Sequence, residues 1–324
     1  MNTENQPRRV GTPATWDQPL PETFLGIQKA TLDSISAKSA IIGAECATPY
    51  PLAGAYCEGA PEAIRRAMHG YPIDPTHIDF DFDEPLFAYG VDAVDLGDLP
   101  YDVEDAPGNR KIIKDATQKI LTQDAIPIVI GGDDSIPIPM IQAYENFGEV
   151  AVVQIDAHID FRDDVNGEKF GLSSTMRRVS EMSHVTDIVQ IGQRNVGSGR
   201  VPELEASRAR GVKLFSARRV YSEGIQAAID LIPAGKNVIV TLDCDALDPS
   251  ANPGVLTRAA GGLNYWHIVE ILRGVAAKGR LVGFDLVEFM PERDVDGIGA
   301  LTNARIICNA MGIISRQANG YTNW

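Results

Sequence analysis

Val152-Val153-Gln154-Ile155-Asp156-Ala157-His158-Ile159-Asp160 is a mostly β-branched run that ends in alternating acids around one histidine. It has the length and composition of a strand buried on both faces, and its end delivers Asp156. In extended backbone alternate side chains share a face, so Asp156, His158 and Asp160 can converge on one point. Val240-Thr241-Leu242-Asp243-Cys244-Asp245-Ala246-Leu247-Asp248-Pro249 repeats the pattern at a second strand end. By the same alternation Cys244 points away from Asp243 and Asp245, and Asp248, directly before a proline, reads as a turn carboxylate. A turn rich in capping aspartates would be written with the same letters. Unpaired carboxylates buried at one strand end are costly, however, and a dication offsets that cost. Carboxylate oxygens with one imidazole suit Mn²⁺, Ni²⁺, Fe²⁺ or Zn²⁺. Two such clusters suggest a two-metal site.

Outward from these stretches, short apolar runs alternate with helical spacing. Strands are expected at Ala40 to Gly43, Val91 to Leu96, Ile126 to Ile130, Val150 to Ile155, Ile188 to Ile191, Val212 to Phe215, Val238 to Leu242 and Leu281 to Val287. Helices are expected from Pro61 to Met68, Lys111 to Gln123, about Ser222 to Leu231, Trp266 to Lys278 and Leu301 to Ser315. This alternation predicts a three-layer α/β/α fold with a mainly parallel central sheet. No repeat or linker divides the chain, so one domain over 38–324 is expected, preceded by an extended arm over 1–37. Pro7, Pro13, Pro19 and Pro21 deny that arm a long helix. Ligands of such sheets bind beyond the carboxyl ends of the strands. The polar clusters lie there: Gly131 to Ser135, Asp156 to Asp160, Asp243 to Asp248, and Glu288.

The 324 residues carry 29 Lys plus Arg against 44 Asp plus Glu, a formal charge of 29 − 44 = −15. A chain so acidic is a poor partner for nucleic acid or an anionic membrane surface. No apolar run of membrane-spanning length occurs, and Met1 to Pro21 lacks a secretion-signal core. The four cysteines form no CxxC pair. A cytoplasmic location is the expectation. His69, His77, His184 and His267 lie away from the motifs, and Asp79, Asp81, Asp83 and Glu84 read as a solvated loop.

Three ordered motifs resemble those of the ureohydrolase superfamily, which holds arginases, agmatinases and related guanidino-compound hydrolases. The family's GGDHS, DAHxD and DxDxxDP correspond here to Gly131-Gly132-Asp133-Asp134-Ser135, DAHID and DCDALDP. Pro61 to Arg65, Asp95 to Asp98, Gln190 to Arg194 and Asp285 to Glu288 resemble further family segments. The likeness covers about residues 38 to 315 and is strongest to the agmatinase branch. It implies a binuclear site of Mn²⁺ or Ni²⁺ whose bridging hydroxide attacks a guanidinium carbon, releasing urea and an amine. It further implies that Asp156 and Asp243 bridge the ions, that His158 and Asp245 complete one and Asp160 serves the other, and that Glu288 pairs with the guanidinium. Trimers or hexamers are implied as well.

Two imidazoles of the family pattern are missing. Asp134 stands where GGDHS has its ligating histidine, and Leu172 stands where a proton-shuttling histidine belongs. The loop Val255 to Gly262 is altered too, with Leu256 and Ala259 replacing a glycine and an acid. Family members set four carboxylates against two dications. With Asp134 as a fifth, the site sits near about −1, which holds ions but makes their water less acidic. Three readings follow: a weakly active or degenerate subunit working with an active paralogue, as in heteromeric members such as metformin hydrolase; a hydrolase of an unusual guanidine acting alone; and a non-catalytic metal-binding scaffold.

Overall fold

The computed structural model describes residues 22–68, 77–197 and 199–321. Expectations for residues 1–21 and for His69 lie outside the described residues. The strands are β1 (Gln28–Lys29), β2 (Ser39–Ala44), β3 (Ile78–Asp79), β4 (Glu84–Pro85), β5 (Ala93–Asp98), β6 (Ile126–Gly131), β7 (Val150–Ile155), β8 (Val185–Ile191), β9 (Lys213–Phe215), β10 (Asn237–Asp243) and β11 (Arg280–Val287). The helices are α1 (Ala60–Arg66), α2 (Ala106–Leu121), α3 (Pro137–Gln142), α4 (Thr175–Val179), α5 (Val201–Ala209), α6 (Ala217–Glu223), α7 (Ile225–Ile229), α8 (Tyr265–Lys278) and α9 (Ile298–Ala318).

Nine strands form one sheet in the order β1-β5-β2-β6-β11-β10-β7-β8-β9, every pairing parallel, while β3 and β4 make a separate antiparallel hairpin. Alternate strand residues feed two cores. Along β7, Ala151, Val153 and Ile155 pack with residues of α8 and α9, and Val150 and Val152 with residues of α2 and α3. The fold is therefore the expected three-layer α/β/α sandwich. Helix α9 is long and apolar enough to cross a membrane by composition, but 78% of that stretch is buried inside the molecule. It is the core helix of one layer.

Two expectations need correction, and one gains detail. The described part of the arm is tied down: Phe24 is buried, its N–H donates to Asp95, and β1 pairs with β5 as an edge strand. The helix expected from about Ser222 to Leu231 is two helices, because Gly224 takes φ 87° and breaks the ladder between α6 and α7. The acidic loop is not simply solvated. Asp79 and Asp81 pair with Arg305, and Asp81 also accepts from Tyr265 and Asn309. These bonds fasten the β3–β4 hairpin onto α8 and α9.

The four central strands β6, β11, β10 and β7 matter most for function. All run the same way, so their carboxyl ends lie side by side on one edge. Gly132 follows β6, where a Cβ would run into the carbonyl oxygen of Glu45. Only glycine lets the chain leave β6 this close to the end of β2.

Candidate metal centre

Each of the four strand ends contributes a carboxylate. After β6, Asp133 turns back into the backbone, accepting from Ala47 N at 3.2 Å and Ser135 N at 3.0 Å. Asp134 then points into the edge cavity. Its carbonyl accepts from the Thr175 hydroxyl, yet both its carboxylate oxygens are buried and have no hydrogen-bond partner. After β7 come Asp156, His158 and Asp160; Asp243 ends β10 and Asp245 follows it; Glu288 follows β11. Asp160 and Glu288 are non-glycine residues at positive φ, 42° and 65°. Such backbone is strained and turns the side chain away from the strand direction.

Among the described residues, two sets of ligand atoms each lie within 4.8 Å of one another: Asp156, His158, Asp243 and Asp245, and Asp134, Asp156 and Asp160. Asp156 belongs to both. His158 Nδ1 sits 3.1 Å from Asp245 Oδ2 and 3.4 Å from Asp156 Oδ1. Backbone amides hold the acids in place, from His158 to Asp156 at 2.6 Å, from Asp245 to Asp243 at 2.7 Å and from Ala157 to Asp245 at 3.2 Å.

Burial, and after it the neighbouring acids, shifts which groups favour a proton. Burial, then Asp160 and Asp156, push Asp134 well above the usual carboxylate range. Burial and neighbouring acids also push Asp160 and Asp243 well up and Asp245 up. For Asp156 burial is outweighed by hydrogen bonds from His158 and Asp160, which hold it down at about 2. Burial disfavours charge on His158, but Asp156 and Asp245 overcome it and raise the imidazole to about 12. Protons thus occupy the place where a cation would neutralise the same acids.

Glu288 lies beside both groups. Burial raises it to about 8. The Tyr56 hydroxyl and Asp134 N, the latter at 2.8 Å, both donate to its Oε1. A cavity of about 180 Å³ opens over these acids, walled by Phe161, Arg162, Leu172, Glu203, Leu256 and Thr257. Leu172 is on that wall, so position 172 faces the cavity with a side chain that carries no proton. His158 is the one histidine on the wall among the described residues.

Tyr56, Thr175 and Arg194 were not legible as parts of the site. Arg194 donates to the carbonyls of Asp245 at 2.5 Å, Ala246 at 3.1 Å, Leu247 at 3.2 Å and Ala259 at 2.9 Å. It pins the acid-bearing turn after β10 to the altered loop over 255–262. The family-like VQIG segment hinted at its presence but not at what it holds. Among the described residues the other histidines lie elsewhere. His184 Nε2 meets the Ile141 carbonyl, and His267 Nδ1 accepts from Asn264 N at the start of α8. Asp248 accepts from Ser250, Gly261 and Gly262 as a turn carboxylate. Cys244 is buried and belongs to neither ligand group.

The donor set fits divalent ions. Asp134 offers two buried oxygens with no other partner, Asp156 is shared between groups, and oxygens with one imidazole are donors that divalent ions take. Comparison with known proteins agrees. A sequence profile described as Arginase family matches residues 37–312. The chain is 31% identical to an N(1)-aminopropylagmatine ureohydrolase of Thermus thermophilus, over 83% of this chain and 89% of that protein. It is 30% identical to a guanidinobutyrase of Pseudomonas aeruginosa, over 70% of this chain and 73% of that one. The crystal structure of proclavaminate amidino hydrolase from Streptomyces clavuligerus superposes with a TM-score of 0.76 at 27% identity, covering 93% of this chain and 99% of that one.

Proposed function

This chain belongs to the arginase family, and from that premise we propose that it serves hydrolysis of a guanidino compound to urea and an amine. We propose further that it is weakly active alone and works as an unequal subunit beside an active paralogue, in a ring of three or six. The observation that carries the hydrolase reading is the pair of ligand groups sharing Asp156, with Glu288 in the same cavity.

Asp156, His158, Asp243 and Asp245 would hold one ion, and Asp134, Asp156 and Asp160 the other. Divalent ions bound there would acidify and orient the attacking water. Glu288 receives the guanidinium. Tyr56 and Asp134 N both engage its Oε1, which leaves Oε2 for the substrate. A cation arriving beside a buried carboxylate favours its charged form, so Glu288 gives up its proton as substrate enters. The weak step is proton delivery to the leaving amine, because Leu172 contributes none. The extra charge of Asp134 adds to this by making the water less acidic.

A hydrolase active alone is the second reading, favoured by the completeness of both ligand groups. The test is urea release by the lone chain loaded with Mn²⁺ or Ni²⁺, from agmatine, guanidinobutyrate, guanidine and metformin. Robust turnover removes the subunit reading. Inactivity rescued by a co-expressed paralogue removes the second.

A further inference from the structure

Gln154 on β7 and Gln190 on β8 are both fully buried and are opposite each other in the parallel ladder. Gln190 Nε2 donates to Gln154 Oε1 and, at 2.9 Å, to the carbonyl of Ile159. The Ile159 carbonyl can only accept, so it fixes the Gln190 amide with its nitrogen on that side. That in turn fixes Gln154 with its nitrogen toward the acids. Gln154 Nε2 donates to Asp156 Oδ2 at 2.6 Å and to Asp160 Oδ2 at 2.9 Å.

A cross-strand hydrogen bond alone would give each buried glutamine one partner, and Gln190 Oε1 is left without any. The geometry does more. The two hydrogens of one neutral amide meet the two carboxylates of the Asp134, Asp156 and Asp160 group that come from the β7 end. A divalent ion binds the charged forms of both acids, which repel, and an apolar side chain at 154 would remove the one donor that the two share.

We infer that Gln154 is a positioning residue that holds Asp156 and Asp160 together for the ion beside Asp134, with Gln190 setting its orientation. This rests on the metal-dependent reading of the site. The ion held by Asp156, His158, Asp243 and Asp245 depends on Gln154 through Asp156 alone, so it is affected less. Outer groups of this kind commonly change metal affinity by 10–100-fold.

The experiment uses the full chain, stripped of metal and reloaded with Mn²⁺, as wild type, Gln154→Leu, Gln154→Asn and Gln190→Leu. Bound ions are counted by elemental analysis, affinities come from chelator competition, and thermal unfolding is followed in chelator. The wild type should take up two ions. Gln154→Leu and the shorter Gln154→Asn should keep one ion and bind the other at least tenfold more weakly, and Gln190→Leu should show a smaller loss of the same ion. A packing role alone would lower the metal-free melting temperature without this selective loss. Two ions at wild-type affinity in any folded Gln154 variant overturns the inference. If Gln154→Leu does not fold, Gln154→Asn decides alone by the same criterion. A wild type that takes up no ion sinks the metal-dependent reading itself, and this inference with it.

Discussion

Asp134 and Leu172 sit on opposite sides of one question, since the first adds a charge to the ion site and the second removes a proton carrier. Each makes a separable prediction. Asp134→Asn keeps the size and leaves the metal-free chain about as stable, because burial and neighbouring acids already favour the protonated form. Ion uptake should fall by at least tenfold, read by chelator competition. Asp134→His combined with Leu172→His should raise urea release by the lone chain by about 10²–10⁴-fold, the range expected for restored acid–base catalysis. No gain in the assay would mean that the weakness lies elsewhere, in the loop over 255–262. At this scale the acids were legible, because alternation along a strand brings Asp156, His158 and Asp160 together within a few residues. Gln154 and Tyr56 were not. They are neutral, and Tyr56 reaches Glu288 from 232 residues away in the chain.

Among the elements, Asp95 joins three of them. Its carboxylate accepts from Arg65 of α1, from Phe24 N ahead of β1 and from Gly97 N within β5. Asp95 is fully buried and Arg65 nearly so. Arg65→Met should cost about 3–5 kcal/mol, since it strands a buried charge; the midpoint of urea unfolding reports it. Gly132→Ala should cost about 1–3 kcal/mol through overpacking against the backbone at Glu45, and should loosen the turn that carries Asp134. Strand β7 spans the residues read from the sequence, Val150 to Ile155, because a β-branched run buried on both faces has no other stable form here. Edge strand β1 escaped notice. Its two residues carry no periodicity, and it is placed by pairing with β5 rather than by its own composition. The break at Gly224 was missed for the same reason that apolar spacing shows helix faces and not backbone sign.

For the whole molecule, the buried acids dictate how stability follows pH. Burial holds Asp134, Asp160 and Asp243 well above the ordinary range, and raises Asp285 and Glu288 to about 8. The folded metal-free chain therefore keeps protons that the unfolded chain has released, and stability falls as pH climbs from about 4 through these folded values. His158, raised to about 12, adds to the loss once pH passes its ordinary value of 6.5. Asp156, held at about 2, acts oppositely but only between about 2 and 4. Metal-free protein should melt lower at pH 8 than at pH 5.5, and Mn²⁺ should raise the melting temperature more at pH 8. At a hundredfold excess over Kd each ion should add about 2.7 kcal/mol. Melting curves in chelator and in Mn²⁺ across this range test it, and a metal-free chain more stable at pH 8 would overturn the charge assignment. The sheet order has a further consequence, in time. Strand β11 lies between β6 and β10 yet is the last of the eleven to leave the ribosome. Until it arrives, β6 and β10 are open edges with unpaired backbone, ready to pair with a neighbouring chain. A nascent chain can neither gather its four acidic strand ends nor hide those edges until β11 has been made, so its yield should depend on chaperones more than its finished stability suggests.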